Sequence, residues 1–125
     1  MSEAVAIDLP LEPGSARRAR EHLEPFRKAL DETTFFDLRL LVSELIAEAL
    51  NARSEIDDAR VELRAKLRHG RVRVEVAEDG EAFRLPPRRP KPGEVGWGIY
   101  LVTRLSRRWG VRCGSGGSAV WLEVK

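Results

Sequence analysis

Three short stretches of this chain bring together residue types that could do chemistry. Gly96 and Gly98 bracket a tryptophan and lead straight into the apolar run "IYLVTRL". A glycine turn that opens a helix lets backbone approach an anion closely, and the free N–H groups of the first helical turn then point at it. Glu78, Asp79 and Gly80 close an alternating segment, where a carboxylate could read a ligand. Glu44 and Glu48 stand one helical turn apart, so both carboxylates share a helix face. Taken singly, each stretch also reads as an ordinary feature: two turns and two solvated helix residues. Their joint order along the chain is the informative part.

The elements that must position these residues are legible from periodicity. "AVAIDL" reads as a strand over 4–9, ended by Pro10. Ser15 is placed to cap a helix running to about Leu30, with Pro25 inside it as a kink point. Leu38, Leu41, Val42, Leu45, Ile46, Ala49 and Leu50 recur at three- and four-residue steps, which predicts a long amphipathic helix capped at Thr33 or Thr34. The period then changes to two. Val61, Leu63, Ala65 and Leu67 alternate with charged residues, "HGR" turns, and Val72, Val74 and Val76 alternate again, which predicts a hairpin with one wet face.

Residues 84–95, "RLPPRRPKPGEV", hold four prolines and no period. This is a long loop of the kind that carries function. The run after Gly98 predicts a helix through about Trp109, with Ile99, Leu101, Val102 and Leu105 inside. A last hairpin follows, with Gly116 and Gly117 at its turn. The resulting class is α+β: a two-layer sandwich, its mostly antiparallel sheet covered on one face by three helices.

Composition limits what such a chain can be. At 125 residues, 42% hydrophobic and 34% charged, it suits one globular domain over 1–125. No apolar run nears the roughly 20 residues that span a bilayer, so no membrane partner is expected. The first residues carry acids and no basic stretch, so no secretory leader is expected either. The single cysteine, Cys113, cannot form an internal disulfide, and a cytoplasmic location is expected. Arginine clusters are interleaved with acids and net charge is only +2, so direct nucleic-acid binding ranks last.

The order of the motifs resembles the histidine-kinase-type ATPase superfamily, with its Bergerat nucleotide fold. Within it the chain looks most like the bacterial anti-sigma-factor serine/threonine kinases of partner-switching systems. The resemblance is carried by "LLVSELIAEAL", "VRVEVAEDGEAF", "GWGIYLVTRLSRRWGV" and "GGSAVWLEV", and it covers nearly the whole chain. It implies ATP and Mg²⁺ as cofactors, and Glu44 as catalytic general base toward a serine of a partner. It places Glu48, Glu78, Asp79, Gly80, Ala82, Gly96, Gly98 and Ile99 around the nucleotide, with Glu48 also at the metal. Residues 84–95 would be the lid. A sigma factor and a small antagonist protein would be the partners, and a homodimer the assembly.

Three positions depart from that pattern. Glu48 stands where an asparagine normally holds Mg²⁺ against the phosphates, Glu78 where an aspartate normally reads the adenine amino group, and Ala82 where a second glycine is usual. A Glu48 carboxylate about 4 Å from a phosphate oxygen would repel it by about 4 kcal/mol at an effective dielectric of about 20. Bound Mg²⁺ between them would reverse that sign. Two expectations therefore stand: an ATP-dependent kinase, or a nucleotide-independent protein-binding regulator on the same fold. A pocket filled by the protein's own side chains would favour the second.

Overall fold

The computed structural model describes residues 4–52, 59–86 and 88–125. Residue 87, inside the expected lid, and residues 1–3 and 53–58 of the expected domain lie outside them. The elements run β1 (Ala4–Pro10), α1 (Ser15–Glu21), a 3-10 segment (Glu24–Ala29), α2 (Glu32–Ala52), β2 (Arg60–Arg68), β3 (Arg71–Glu78), α3 (Trp97–Leu105), β4 (Arg108–Gly114) and β5 (Gly117–Val124). The strands form one sheet in the order β1-β2-β3-β5-β4, and every neighbouring pair is antiparallel. This is the expected α+β sandwich.

Alternation builds the core. Val61, Leu63 and Ala65 of β2, Val72, Val74 and Val76 of β3, and Val120, Leu122 and Val124 of β5 are buried on one face of the sheet. Leu41, Val42, Leu45, Ile46 and Ala49 bury the matching stripe of α2, and Ile99 and Val102 that of α3. Each large aliphatic side chain so buried stabilises by roughly 1.5–3 kcal/mol. Phe83, from the segment after β3, is fully buried among them.

Several local expectations needed correction. The helix from Ser15 stops at Glu21, and the chain re-enters as a 3-10 segment with Pro25 in its first turn. Proline at position 25 has no N–H to offer the Glu21 carbonyl four residues back, and its ring would strike that carbonyl. Ser15 is not the cap but the first helical residue. Gly14 holds the cap position, while the Ser15 hydroxyl donates to the Pro10 carbonyl and accepts from the Glu12 N–H. At α2 neither threonine caps: the Asp31 carboxylate accepts the Thr34 N–H at 2.7 Å.

The third helix ends at Leu105, four residues short of Trp109. Ser106 turns extended, with its N–H and hydroxyl both on the Val102 carbonyl. Arg107 then donates to Glu123 and the chain joins the sheet. Leu105 is consequently 37% exposed, and Trp109 packs on the core from a strand. Gly114 pairs with Gly117, so the last turn is Ser115–Gly116, one residue earlier than expected.

The outer face of the sheet carries one large aromatic, Trp121, opposite Gly110. A methyl group at Gly110 would overlap the Trp121 indole. The Arg73 guanidinium lies over that ring at 4.1 Å. Gly110→Ala is therefore expected to destabilise by about 1 kcal/mol through overpacking. In a Trp121→Val background the same substitution should cost nothing. Chemical denaturation of the four proteins checks both statements.

Candidate functional site

The site is built where α2 meets the first turn of α3. Glu44 and Glu48 are both half-buried on α2. Gly98 lies directly against this helix: a Cβ there would stand 3.0 Å from the Glu44 carbonyl oxygen and 3.3 Å from the Glu48 carboxyl carbon. Only glycine permits the two backbones this approach. Gly96 takes a left-handed conformation, φ +100°, and turns the chain into the helix.

This geometry aims the free N–H groups of α3 at one point, and Glu48 occupies it. Its Oε1 accepts the Gly98 N–H at 2.5 Å, and the N–H groups of Gly96 and Ile99 also act on the carboxylate. Burial pushes the Glu48 carboxyl above the usual glutamate range. The Gly98, Gly96 and Ile99 N–H groups pull it back down, and the charge of Glu44 adds to the rise. Desolvation wins, so the carboxylate is held at a net cost.

Pro86 and Pro90, in the segment expected to be a lid, lie against the other side of the same turn. A Cβ on Gly96 would meet Pro86 at 3.3 Å and Pro90 at 3.5 Å. The segment is organised by its own contacts. Arg88 makes a two-pronged pair with Glu94, which also accepts the Lys91 N–H at 2.7 Å. The Trp97 indole donates to the Lys91 carbonyl, and Arg89 lies over Trp97 and Tyr100.

The second motif is also turned on itself. Glu78 Oε2 accepts the Gly80 N–H at 2.5 Å; Oε1 accepts the Ala82 N–H at 2.9 Å and the Ser118 hydroxyl. Ser118 in turn accepts the Phe83 N–H, and the Cys113 thiol donates to the Phe83 carbonyl. This stitches the 78–83 turn to β5 and drives Phe83 into the core.

A cavity of about 650 Å³ lies between α2, the 81–86 segment and the lid, and Glu48, Ala82 and Gly96 are among its lining residues. Glu78 and Asp79 border a different cavity of about 510 Å³, which Asp8, Arg60 and Arg112 also line. Gly98 and Ile99 meet the first cavity only through Glu48, and the Ile99 side chain is in the core. Glu44 presents its backbone to Gly98 and is not among the residues lining either cavity. Sequence reasoning missed Ser118, Pro86 and Pro90. Ser118 could be found only by knowing that β3 pairs with β5, which sets it opposite Glu78.

Residues 9–124 match the model of the histidine kinase-like ATPase domain family. The chain belongs to this family. Solved structures share its fold. The RsbU and RsbW domains of Rv1364c from Mycobacterium tuberculosis superpose with a TM-score of 0.70 and 20% identity, over 97% of this chain and 32% of that one. The histidine kinase domain from the Erythrobacter litoralis EL346 blue-light activated histidine kinase gives 0.60 and 24%, over 92% and 60%. This domain thus spans less than two thirds of either chain. Among curated proteins nothing matches significantly.

A histidine kinase-like ATPase domain implies a nucleotide and Mg²⁺ in general. The residues of this domain do not fit the nucleotide as they stand: Glu48 already accepts the Gly98 N–H where the phosphates would go, the Gly96 and Ile99 N–H groups also act on its carboxylate, and both Glu78 oxygens, at the position expected to read adenine, are engaged with the protein itself. Among the described residues no group of three His, Cys, Asp or Glu could hold a metal ion.

The raised Glu48 carboxyl gives a sign for pH dependence. A glutamate whose folded value is raised contributes stability that is fully present below its unfolded value, about 4.5, and lost as pH rises through the folded value. Glu48→Gln keeps an acceptor and removes the charge. Its melting temperature is expected to exceed that of the wild type at pH 7, with the gap closing as pH falls toward the ordinary glutamate range. Thermal melts across that window check the direction.

Proposed function

We propose that this domain is a regulator of the bacterial anti-sigma-factor type that acts by binding a protein partner, its phosphate cradle closed by its own glutamate. One observation carries the reading: Glu48 sits on the N–H groups that open α3, the place a phosphate would need. The motif order supports the partner-switching context, and the fold shared with the structure of the RsbU and RsbW domains of Rv1364c agrees with it. In this reading residues 1–125 are one domain with a lid at 84–95, the location is cytoplasmic, and the assembly is a homodimer. The partners are a sigma factor and a small antagonist protein. Among the described residues no helix is long and apolar enough to cross a membrane.

A second reading is an ATP-dependent protein serine/threonine kinase with Glu44 as general base. The 650 Å³ cavity beside Gly96 favours it. It requires Glu48 to leave the cradle and to turn from a cap into a metal ligand.

Calorimetric titration separates the two. The wild-type protein is expected to give no binding heat with metal-free ATP or Mg-ATP. Glu48→Asn should gain affinity for metal-free ATP by up to about a thousandfold, the equivalent of about 4 kcal/mol of removed repulsion. Tight binding of Mg-ATP by the wild type, with phosphate transfer to a partner serine that Glu44→Gln abolishes, would overturn the first reading in favour of the kinase.

A further inference from the structure

The sheet face away from the helices is made from alternate residues of the strands, and one corner of it is unbalanced in charge. Over most of the face each arginine has an acidic partner. Arg60 pairs with Asp8, Arg64 with Glu62 and Arg112 with Glu75, while Arg73 and Arg108 share Glu123. At the free end of the β2–β3 hairpin the pattern fails. Lys66 stands directly opposite Arg73, and Arg68 directly opposite Arg71. Among the described residues no ion pair involves Lys66, Arg68 or Arg71.

Like charges directly opposite in an antiparallel ladder destabilise it. Arg73 is offset by Glu123 and the Trp121 ring, whereas among the described residues Lys66, Arg68 and Arg71 have no acidic partner. The two pairs lie beside a cleft of about 430 Å³ lined by Ala4, Ala6, Arg64, Lys66, Arg73 and Glu75. The alanines let a ligand approach the strands closely. The adjoining strand, β1, is the edge of the sheet, so among the described residues one side of its backbone has no strand to pair with. On its helix side Val5 and Ile7 are only half-buried.

We propose that this corner docks an extended acidic segment of a protein partner, which adds to β1 as a sixth strand. Alternate side chains of an added strand point to opposite faces. Acidic ones would lie beside Ala4 and Ala6, within reach of the long Lys66 and Arg64 side chains of β2, and apolar ones would cover Val5 and Ile7. The open backbone edge selects a polypeptide over a nucleic acid or a lipid surface, because only a polypeptide supplies ladder hydrogen bonds. The inference rests on the reading of this domain as a protein-binding regulator and names the chemistry of the partner. It uses the sheet face away from Glu48, so it stands or falls separately from the closed cradle.

The test uses the full chain and a fluorescent synthetic peptide of alternating glutamate and valine, followed by anisotropy. The peptide is expected to bind, and to bind more weakly as salt rises. A lysine–valine peptide should not bind, nor should the acidic peptide N-methylated at alternate backbone nitrogens. Lys66→Glu should weaken binding roughly tenfold, and Arg71→Glu, three strands from the peptide, much less. Each should also raise the melting temperature of the free protein, because each turns a like-charged cross-strand pair into an opposite one. A merely structural role would not move these two readouts in opposite directions. Unchanged affinity in Lys66→Glu, equal binding of the lysine–valine peptide, preference for duplex DNA or anionic vesicles, or a second copy of the chain occupying β1 would each overturn the proposal. A peptide that fails to bind while ATP titration still finds the cradle closed removes this surface alone. Tight Mg-ATP binding beside normal peptide binding removes the regulator reading and leaves the surface.

Discussion

The arrangement depends on one hydrogen-bonded carboxylate. Glu48 joins the C-terminal part of the long helix α2 to the N-terminus of α3 through the Gly98 N–H, across fifty residues of sequence. A helix start leaves N–H groups unsatisfied, and a buried one needs a partner. In a nucleotide-binding protein an anionic ligand can provide it. Here the protein provides it. A carboxylate at a partly buried helix N-terminus is worth up to about 2 kcal/mol, while taking it out of water costs several kcal/mol after relaxation. The upward push on the Glu48 carboxyl shows which side prevails. The cap thus satisfies the Gly98 N–H at a cost in charge.

The same economy appears at the other motif. Glu78 ends its strand with both oxygens on nearby groups, two of them backbone N–H groups of its own turn. The register of β3 on β5 sets Ser118 beside it, and Ser118 then fixes Phe83. The side chain that would face a ligand thus organises the turn that buries a phenylalanine. Both departures lengthen or charge a side chain, and both let it reach backbone that a shorter or neutral residue would leave for a ligand.

Much of the fold was legible because its signals are local. The period-two alternation around Val61–Leu67 and Val72–Val76 dictated the hairpin, and the stripe from Leu38 to Ala49 dictated α2. Misreadings arose where one residue overruled a period. Pro25 ended a helix whose apolar spacing continued through Phe26, and Ser106 ended another before "RRW" joined the sheet. The site was legible as a set of motifs but not as a geometry. Glu48 reads in sequence as a repulsion toward phosphate. That it fills the cradle follows only from the approach of Gly98 to α2, a non-local contact. Ser118 and the prolines over Gly96 are invisible for the same reason: each acts through a partner distant in sequence.

The central claim is that Glu48, ionised, sits on the α3 N-terminus of the free protein. Backbone amide shifts of Gly98 and Ile99, followed by NMR through a pH titration of the unligated full chain, test it most directly. The Gly98 amide proton should lie far downfield at neutral pH and move upfield as Glu48 is protonated, with a midpoint above the ordinary glutamate range, and this titration should vanish in Glu48→Gln. A Gly98 amide that ignores pH, or titrates identically in Glu48→Gln, would contradict the account and return the cradle to a ligand.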